Sequence, residues 1–336
     1  MYPKNCWYVA AMSHEVGRSL LPRTVLDHAM VVFRREDGSS AAISDRCSHR
    51  RVSLTLGRLV GDHVECGYHG LQFAGDGRCV HIPNQQRIPP LACIPSFKVV
   101  ERDGFIWVWP GNQALADESL VPDYAEVCSS GRYAGNRANT LPVAAPCLFN
   151  IENVLDLSHV SYVHPETVGT AEVAETEPAV TIAPARVSVH RSWDDAAASP
   201  LFRQVFGWER VSRSQHIHFW PGGNVLLELT NAPAGNQDPA QVRRITVVGP
   251  CTPSTASAHY KFSAIYRDFA LDDAALSDTL AAGFLKTILE DKVLLEDQQR
   301  NWASDKSDVR MVDLAVDRAP LAARKMLQRA AQAELA

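Results

Sequence analysis

The chain has 336 residues, 46% of them hydrophobic and 21% charged, the balance of a soluble globular protein long enough for two separate cores. A net charge of -5 leaves no basic surplus for gripping nucleic acid, and no uninterrupted apolar run reaches the length needed to span a membrane. The opening Met1-Tyr2-Pro3-Lys4-Asn5-Cys6-Trp7 lacks the basic-then-apolar order of a secretory signal, so a cytoplasmic location is expected.

From Cys6 to Trp109 the sequence reads as short strands with turn punctuation. Met30–Phe33 and Ala41–Ser44 flank Glu36-Asp37-Gly38-Ser39, and Phe97–Val100 and Phe105–Trp109 flank Arg102-Asp103-Gly104, which predicts two hairpins. Gly75-Asp76-Gly77 marks a third turn, and no long amphipathic helix interrupts the series. Trp7, Tyr8, Trp107 and Trp109 are expected in the core of this β module.

Eight cysteines (Cys6, Cys47, Cys66, Cys79, Cys93, Cys128, Cys147 and Cys251) are too scattered for a disulfide framework and read as packed thiols plus a metal site. Cys47-Ser48-His49 and Cys66-Gly67-Tyr68-His69-Gly70 each offer one thiolate and one imidazole. Such a set suits zinc or a [2Fe-2S] cluster. Zinc fingers usually bring their cysteines as one pair and their histidines as another. Here each loop supplies one of each, as a Rieske centre requires, so the cluster is the expectation.

At this point the chain resembles the Rieske-type non-haem iron oxygenases, through Cys-x-His and Cys-x-x-His-Gly at Cys47, His49, Cys66, His69 and Gly70. The resemblance implies that Cys47 and Cys66 hold the iron that stays ferric, and His49 and His69 the iron that takes the electron. Ser48 and Gly67 stand where many relatives have proline, which bears on the loops and the potential but not on the ligation.

A change of composition places the domain boundary near Gly111, giving a Rieske domain over 1–111 and a second domain over 112–336. In Asn153–Pro165, residues Asn153, Asp156 and His159 recur every three positions, which predicts a polar stripe on an otherwise apolar helix. His164 precedes Pro165 and is expected where that helix ends, free to swing towards His159. With a carboxylate from elsewhere, the two imidazoles would make the facial triad that leaves one side of Fe(II) open.

Strands are expected over Val180–Trp193, Phe202–Trp208, His216–Trp220, Asn224–Leu229, Arg243–Val248 and Ala258–Tyr266, then a long helix over Ala274–Trp302 capped by Asp272-Asp273. The acids on that helix read mostly as a solvated face. Arg203, Arg210 and Arg213 could meet a substrate carboxylate, although strand arginines mostly face water.

The second domain is similar to the catalytic domain of the same oxygenases, so the whole chain is expected to be α+β: an all-β Rieske domain, then a curved antiparallel sheet gripping long helices. The resemblance, closest to the vanillate-demethylase-like branch, implies His159, His164 and Asp291 as ligands of a mononuclear Fe(II), with Asp297 as second choice for the carboxylate. It implies catalytic roles for Asn153 and Asp156. The Asp156 carboxylate is expected to accept the ring N–H of His159 and to bridge to His69 of a neighbouring subunit in a head-to-tail homotrimer.

The implied activity is that of the oxygenase component of a monooxygenase fed by an NAD(P)H-dependent flavin and iron-sulfur reductase. It would use O2 to hydroxylate or O-demethylate a small substituted aromatic, an aromatic acid above all. Ring dihydroxylation, or a non-enzymatic Rieske carrier fused to a ligand-binding domain, are the alternatives.

Overall fold

The computed structural model describes residues 2–137, 140–307 and 311–335. The chain divides into two compact units, one formed by Tyr2–Pro122 with Thr252–Ala256, the other by Asp123–Cys251 and Ser257–Ala336. Residues 112–122 thus pack with the first unit.

The first unit is built on ten strands: β1 (Tyr8–Met12), β2 (Leu21–Val25), β3 (His28–Arg34), β4 (Ser40–Ser44), β5 (Arg58–Val60), β6 (His63–Glu65), β7 (Gln72–Phe73), β8 (Cys79–His81), β9 (Ser96–Arg102) and β10 (Phe105–Trp109). They form a six-stranded sheet in the order β1-β10-β9-β4-β3-β2 and a four-stranded sheet in the order β5-β6-β7-β8. Successive residues of β3 point to opposite faces and both faces are covered. Val31 and Phe33 join one apolar cluster with Val64 and Phe73, while Met30 and Val32 join another with Tyr8 and Ile106. That two-sided burial is why Met30–Phe33 reads as an unbroken apolar run.

Both expected hairpins are present. At the β9–β10 turn, Asp103 (φ 56°) and Gly104 (φ 81°) both take the left-handed conformation that a tight two-residue hairpin loop demands. Trp7, Tyr8, Trp107 and Trp109 are buried as expected.

The second unit carries α1 (Ala125–Cys128), β11 (Ala134–Arg137), β12 (Leu141–Val143), α2 (Cys147–Leu155), α3 (Val160–Val163), α4 (Ala171–Glu175), β13 (Ala179–Ala183), β14 (Arg186–Ala197) and α5 (Pro200–Phe206). There follow β15 (Arg210–Trp220), β16 (Asn224–Pro233), β17 (Arg243–Val248), then β18 (Cys251–Thr255), which from Thr252 on belongs to the first unit, and β19 (Ala258–Lys261), β20 (Ala264–Arg267), α6 (Ala274–Ser304) and α7 (Arg318–Ala333). Its main sheet is antiparallel and seven-stranded, in the order β11-β20-β17-β16-β15-β14-β13. Along β15, Val211, Arg213, Gln215, Ile217 and Phe219 are buried and the residues between them only half so, the alternation of a sheet with one face on the core.

Four sequence expectations fail here. Val180–Trp193 and Ala258–Tyr266 are each two strands, β13 with β14 and β19 with β20, parted by Pro184-Ala185 and Phe262-Ser263. Phe202–Trp208 is no strand but runs from helix α5, which ends at Phe206, into its cap: its apolar and aromatic residues suit either, but Pro200 at the first turn and Gly207 in the left-handed cap (φ 71°) are helix punctuation. The stretch Asn153–Pro165 is not one helix either. α2 stops at Leu155, Asp156 is extended (φ -115°, ψ 95°), and a single turn over Leu157–His159 leads into α3. Helix α6 begins as expected, with the Asp273 carboxylate accepting from the Leu276 N–H at 2.9 Å. Among the described residues, no helix is long and apolar enough to cross a membrane.

Candidate metal centres

In the first unit the loops Cys47–Val52 and Cys66–Leu71 fold alike. Each cysteine N–H donates to the carbonyl five residues on, Val52 at 2.9 Å and Leu71 at 2.8 Å. Each cysteine carbonyl accepts from the residue four on, Arg51 at 2.9 Å and Gly70 at 3.0 Å. Arg51 (φ 60°) and Gly70 (φ 73°) make the same left-handed turn.

The result buries both thiols and leaves both imidazoles at the surface, with the His49 and His69 rings 4.6 Å apart. Two buried sulfurs below and two exposed imidazoles above fit a two-iron cluster with one iron buried and the other facing out. Gly67, where proline would be the commoner residue by resemblance, is forced by packing: a Cβ there would lie 2.6 Å from the Leu56 carbonyl oxygen.

In the second unit, the break after α2 does what a continuous helix could not. It turns His159 back, so that its Nε2 lies 3.4 Å from Oδ1 of Asp291 on α6. His164, which leaves α3 at φ -119° and ψ 39° just before Pro165, is fully buried and sets its Nε2 3.0 Å from the same oxygen. Gly169 permits this, since a Cβ there would meet the Val160 and His164 carbonyl oxygens at 2.5 and 2.7 Å.

The outer nitrogens decide the tautomers. His159 Nδ1 lies 2.6 Å from the Asp156 carbonyl, which can only accept, so Nδ1 carries the proton. His164 Nδ1 likewise donates to the Glu290 carboxylate at 2.7 Å. Each Nε2 therefore faces Asp291, as a donor when its ring is an imidazolium and with a lone pair when the ring is neutral. Burial works against ionising that carboxyl, but the hydrogen bonds and charge of His159 and His164 outweigh it and hold it well below the usual carboxylate range. The Asn153 amide is 3.1 Å from Asp291 Oδ1 and 3.4 Å from His159 Nε2.

Three donor atoms, all within 4.8 Å of one another, face a common point with one amide as the neighbouring donor. That is the donor set of a divalent cation, two nitrogens and a carboxylate on one face.

The structure revises three expectations around this centre. It is the Asp156 backbone carbonyl, not its carboxylate, that holds His159. The carboxylate caps the next turn, accepting from Ser158 N and Oγ at 2.9 Å each, and lies 3.9 Å from the Arg191 guanidinium. Asp297 lies elsewhere on α6, bonded to Arg300 and Asn301. Glu290, read as part of a solvated face, instead orients His164. Its adjacency to Asp291 was the available signal, because neighbouring carboxylates on one helix can flank a ring inserted between them. Glu290→Gln is expected to weaken iron retention by about 10- to 100-fold, measured by chelator competition.

A half-open cavity enclosing about 930 Å3, mouth included, reaches the triad between α6 and the buried face of the sheet. Its walls are mainly apolar, among them Leu157, Val160, Leu229 and Phe284; Arg213, Gln215 and Lys261 are among the polar residues, and a further cation, Lys292, is paired with Glu296. Of the three arginines singled out in the sequence, only Arg213 lines it. Arg203 pairs with Glu209 and Arg210 with Asp195.

A Rieske-type ligand set on an all-β unit, joined to a helix-grip unit with a two-histidine, one-carboxylate centre, defines a Rieske non-haem iron oxygenase. Residues 6–98 match the Rieske [2Fe-2S] domain model and residues 143–333 the vanillate O-demethylase oxygenase C-terminal domain model. The chain belongs to this vanillate O-demethylase oxygenase family.

It is 32% identical to the toluene-4-sulfonate monooxygenase system iron-sulfur subunit TsaM1 of Comamonas testosteroni, over 99% of this chain and 98% of that one. It is 31% identical to a vanillate O-demethylase oxygenase subunit of Pseudomonas sp. (strain HR199 / DSM 7063), over 99% and 96%. The crystal structure of dicamba monooxygenase bound to 3,6-dichlorosalicylic acid matches with a TM-score of 0.93 at 30% identity, covering 99% of this chain and 98% of that one.

The chain is thus an oxygenase component of a multicomponent system that depends on a reductase, and its cofactors are a Rieske [2Fe-2S] cluster and mononuclear iron.

Proposed function

We propose that this oxygenase hydroxylates or O-demethylates a small aromatic acid whose anionic group is received by Arg213, with Lys261 as a second cation in the cavity. One observation carries the reading. Arg213 is only 4% exposed and lines the same cavity as the triad, yet among the described residues it has no hydrogen bond or ion pair, and its Nε is left without a partner.

Burial pushes the Arg213 guanidinium down to about 10, so it still carries its charge at neutral pH. It is braced over the rings of Phe202 (5.3 Å) and Trp193 (5.7 Å). A buried cation that feels the charge of Glu172 but is paired with no carboxylate is costly, and an anionic ligand relieves that cost. The relatives' names support the reading, because vanillate and toluene-4-sulfonate are both anionic aromatics.

In this reading His159, His164 and Asp291 hold the iron, Asn153 positions His159 and Asp291, and Cys47, His49, Cys66 and His69 hold the cluster. Iron bound at the triad supplies dioxygen activation, with electrons delivered through the Rieske centre. The chain's own residues do the rest. The cavity walls exclude water, and the two cations fix the anionic end of the ring so that a methyl or methoxy carbon at the other end is presented to the triad. Electrons would come from an NAD(P)H-dependent flavin and iron-sulfur reductase and pass between subunits of a head-to-tail homotrimer.

The test is substrate-dependent oxygen uptake with a reductase, comparing substituted benzoates with their methyl esters. Acids should be turned over far better than esters, and Arg213→Leu should raise KM for the acid by about 100-fold while leaving the ester little changed. Equal use of acids and esters by the unaltered enzyme would overturn the assignment.

A further inference from the structure

The face of the seven-stranded sheet turned away from the cavity carries a second cluster of ligating side chains. His190 on β14 stands directly opposite His216 on β15, and His216 directly opposite Glu228 on β16. His218, two residues further along β15, points to the same face and stands opposite Ser188.

The His216 and His218 rings are 4.2 Å apart and those of His190 and His216 are 5.2 Å apart. His218 Nε2 is 3.3 Å from Glu228 Oε2, and its Nδ1 is 2.8 Å from the Ser188 hydroxyl. One atom each from His216, His218 and Glu228 lie mutually within 4.8 Å, a closeness that among the described residues only the iron triad shares for three such groups. The Glu228 side chain is 46% exposed, which leaves a path for an ion from solvent.

We propose that His216, His218 and Glu228 form a second metal site, separate from the iron centre, for a divalent ion of the zinc class, with His190 or water completing the sphere. Two imidazoles and a carboxylate with a fourth position available is a donor set that zinc accepts, and a hydroxyl on the far nitrogen of His218 fixes that ring as outer partners of ligating histidines do.

The alternative, a purely structural histidine cluster, gains little from stacking three imidazoles with one carboxylate. Arg186 and Arg244 are near enough for their charge to reach His216 and Glu228 respectively, so binding depends on direct coordination and not on a surplus of negative charge. A bound ion would tie β15 to β16, whose alternate residues Arg213, Gln215 and Leu229 line the cavity on the other face. The proposal rests on this geometry alone and does not depend on the substrate assignment.

The test is equilibrium dialysis of the iron-loaded holoenzyme against Zn(II), with zinc, iron and labile sulfide measured together. We expect one zinc per chain with iron and sulfide unchanged, and a rise in Tm on zinc addition. His216→Ala and Glu228→Gln should each weaken zinc binding by roughly 10-fold or more and remove the rise in Tm, while His14→Ala, an exposed histidine of the first unit, leaves both unchanged. Retained mononuclear iron, held by the same unit, shows that each variant is folded; if His216→Ala fails to fold, Glu228→Gln carries the comparison. Three results would overturn the site: no zinc bound, zinc bound equally by the variants, or zinc gained only as iron is lost.

Discussion

His164→Ala is expected to abolish turnover and strip the mononuclear iron while leaving the Rieske cluster in place. His164 is fully buried and clamped at both nitrogens, Nδ1 by Glu290 at 2.7 Å and Nε2 facing Asp291 at 3.0 Å. Alanine removes one of three donors; of the neighbours, Asn153 turns its amide nitrogen, not its oxygen, towards Asp291, and Asp297 is bonded to Arg300 and Asn301. The cluster ligands are carried by the other compact unit, on loops whose hydrogen bonds do not involve the triad.

Iron should fall from about three atoms per chain to about two, with labile sulfide and visible absorption unchanged. Retention of the third iron would remove His164 from the ligand set. The protein should remain folded, although the site loses packing around a buried ring.

Asp156→Asn is expected to keep all three irons and lower turnover by about 100-fold. The backbone carbonyl of residue 156, not its carboxylate, holds His159, and it survives any side-chain change. Asparagine can still accept from the Ser158 N–H and maintain the turn that aims His159. What it loses is the negative charge, 3.9 Å from the buried Arg191 guanidinium, and with it a carboxylate that could accept from a cluster histidine of a neighbouring subunit.

A structural role for Asp156 would therefore show as lost iron or lower stability, and a relay role as slow electron arrival at intact iron. Single-turnover reduction monitored at the cluster distinguishes them. An unchanged rate of electron transfer would remove the bridging role.

Much of the chemistry is local and could be read from the sequence. The two Cys-plus-His loops each close on themselves through hydrogen bonds spanning a few residues, so ligand spacing and loop geometry are one fact. Turn signals such as Asp103-Gly104 act the same way, since the left-handed backbone they require is a property of those residues alone. Pro165 likewise ended its helix where a residue before proline must leave the helical region. One misread segment, Phe202–Trp208, has an aromatic content that satisfies strand and helix alike, where the choice lay with Pro200 and Gly207.

Alternation along β13 to β20 and periodicity along α6 specified which residues could be buried, but not against what. Only the folded chain brought Asp291 to two imidazoles more than a hundred residues away, turned Glu290 onto the outer nitrogen of His164, and gave the task of holding His159 to a backbone carbonyl. It also chose Arg213 among three candidate arginines, because neighbouring strands and α6 enclose that one while its companions find surface carboxylates. Motifs persist in sequence because their partners are a few bonds away. A cavity and its charge balance belong to side chains that meet only after the sheet has closed over the helix, and that meeting has no short-range trace.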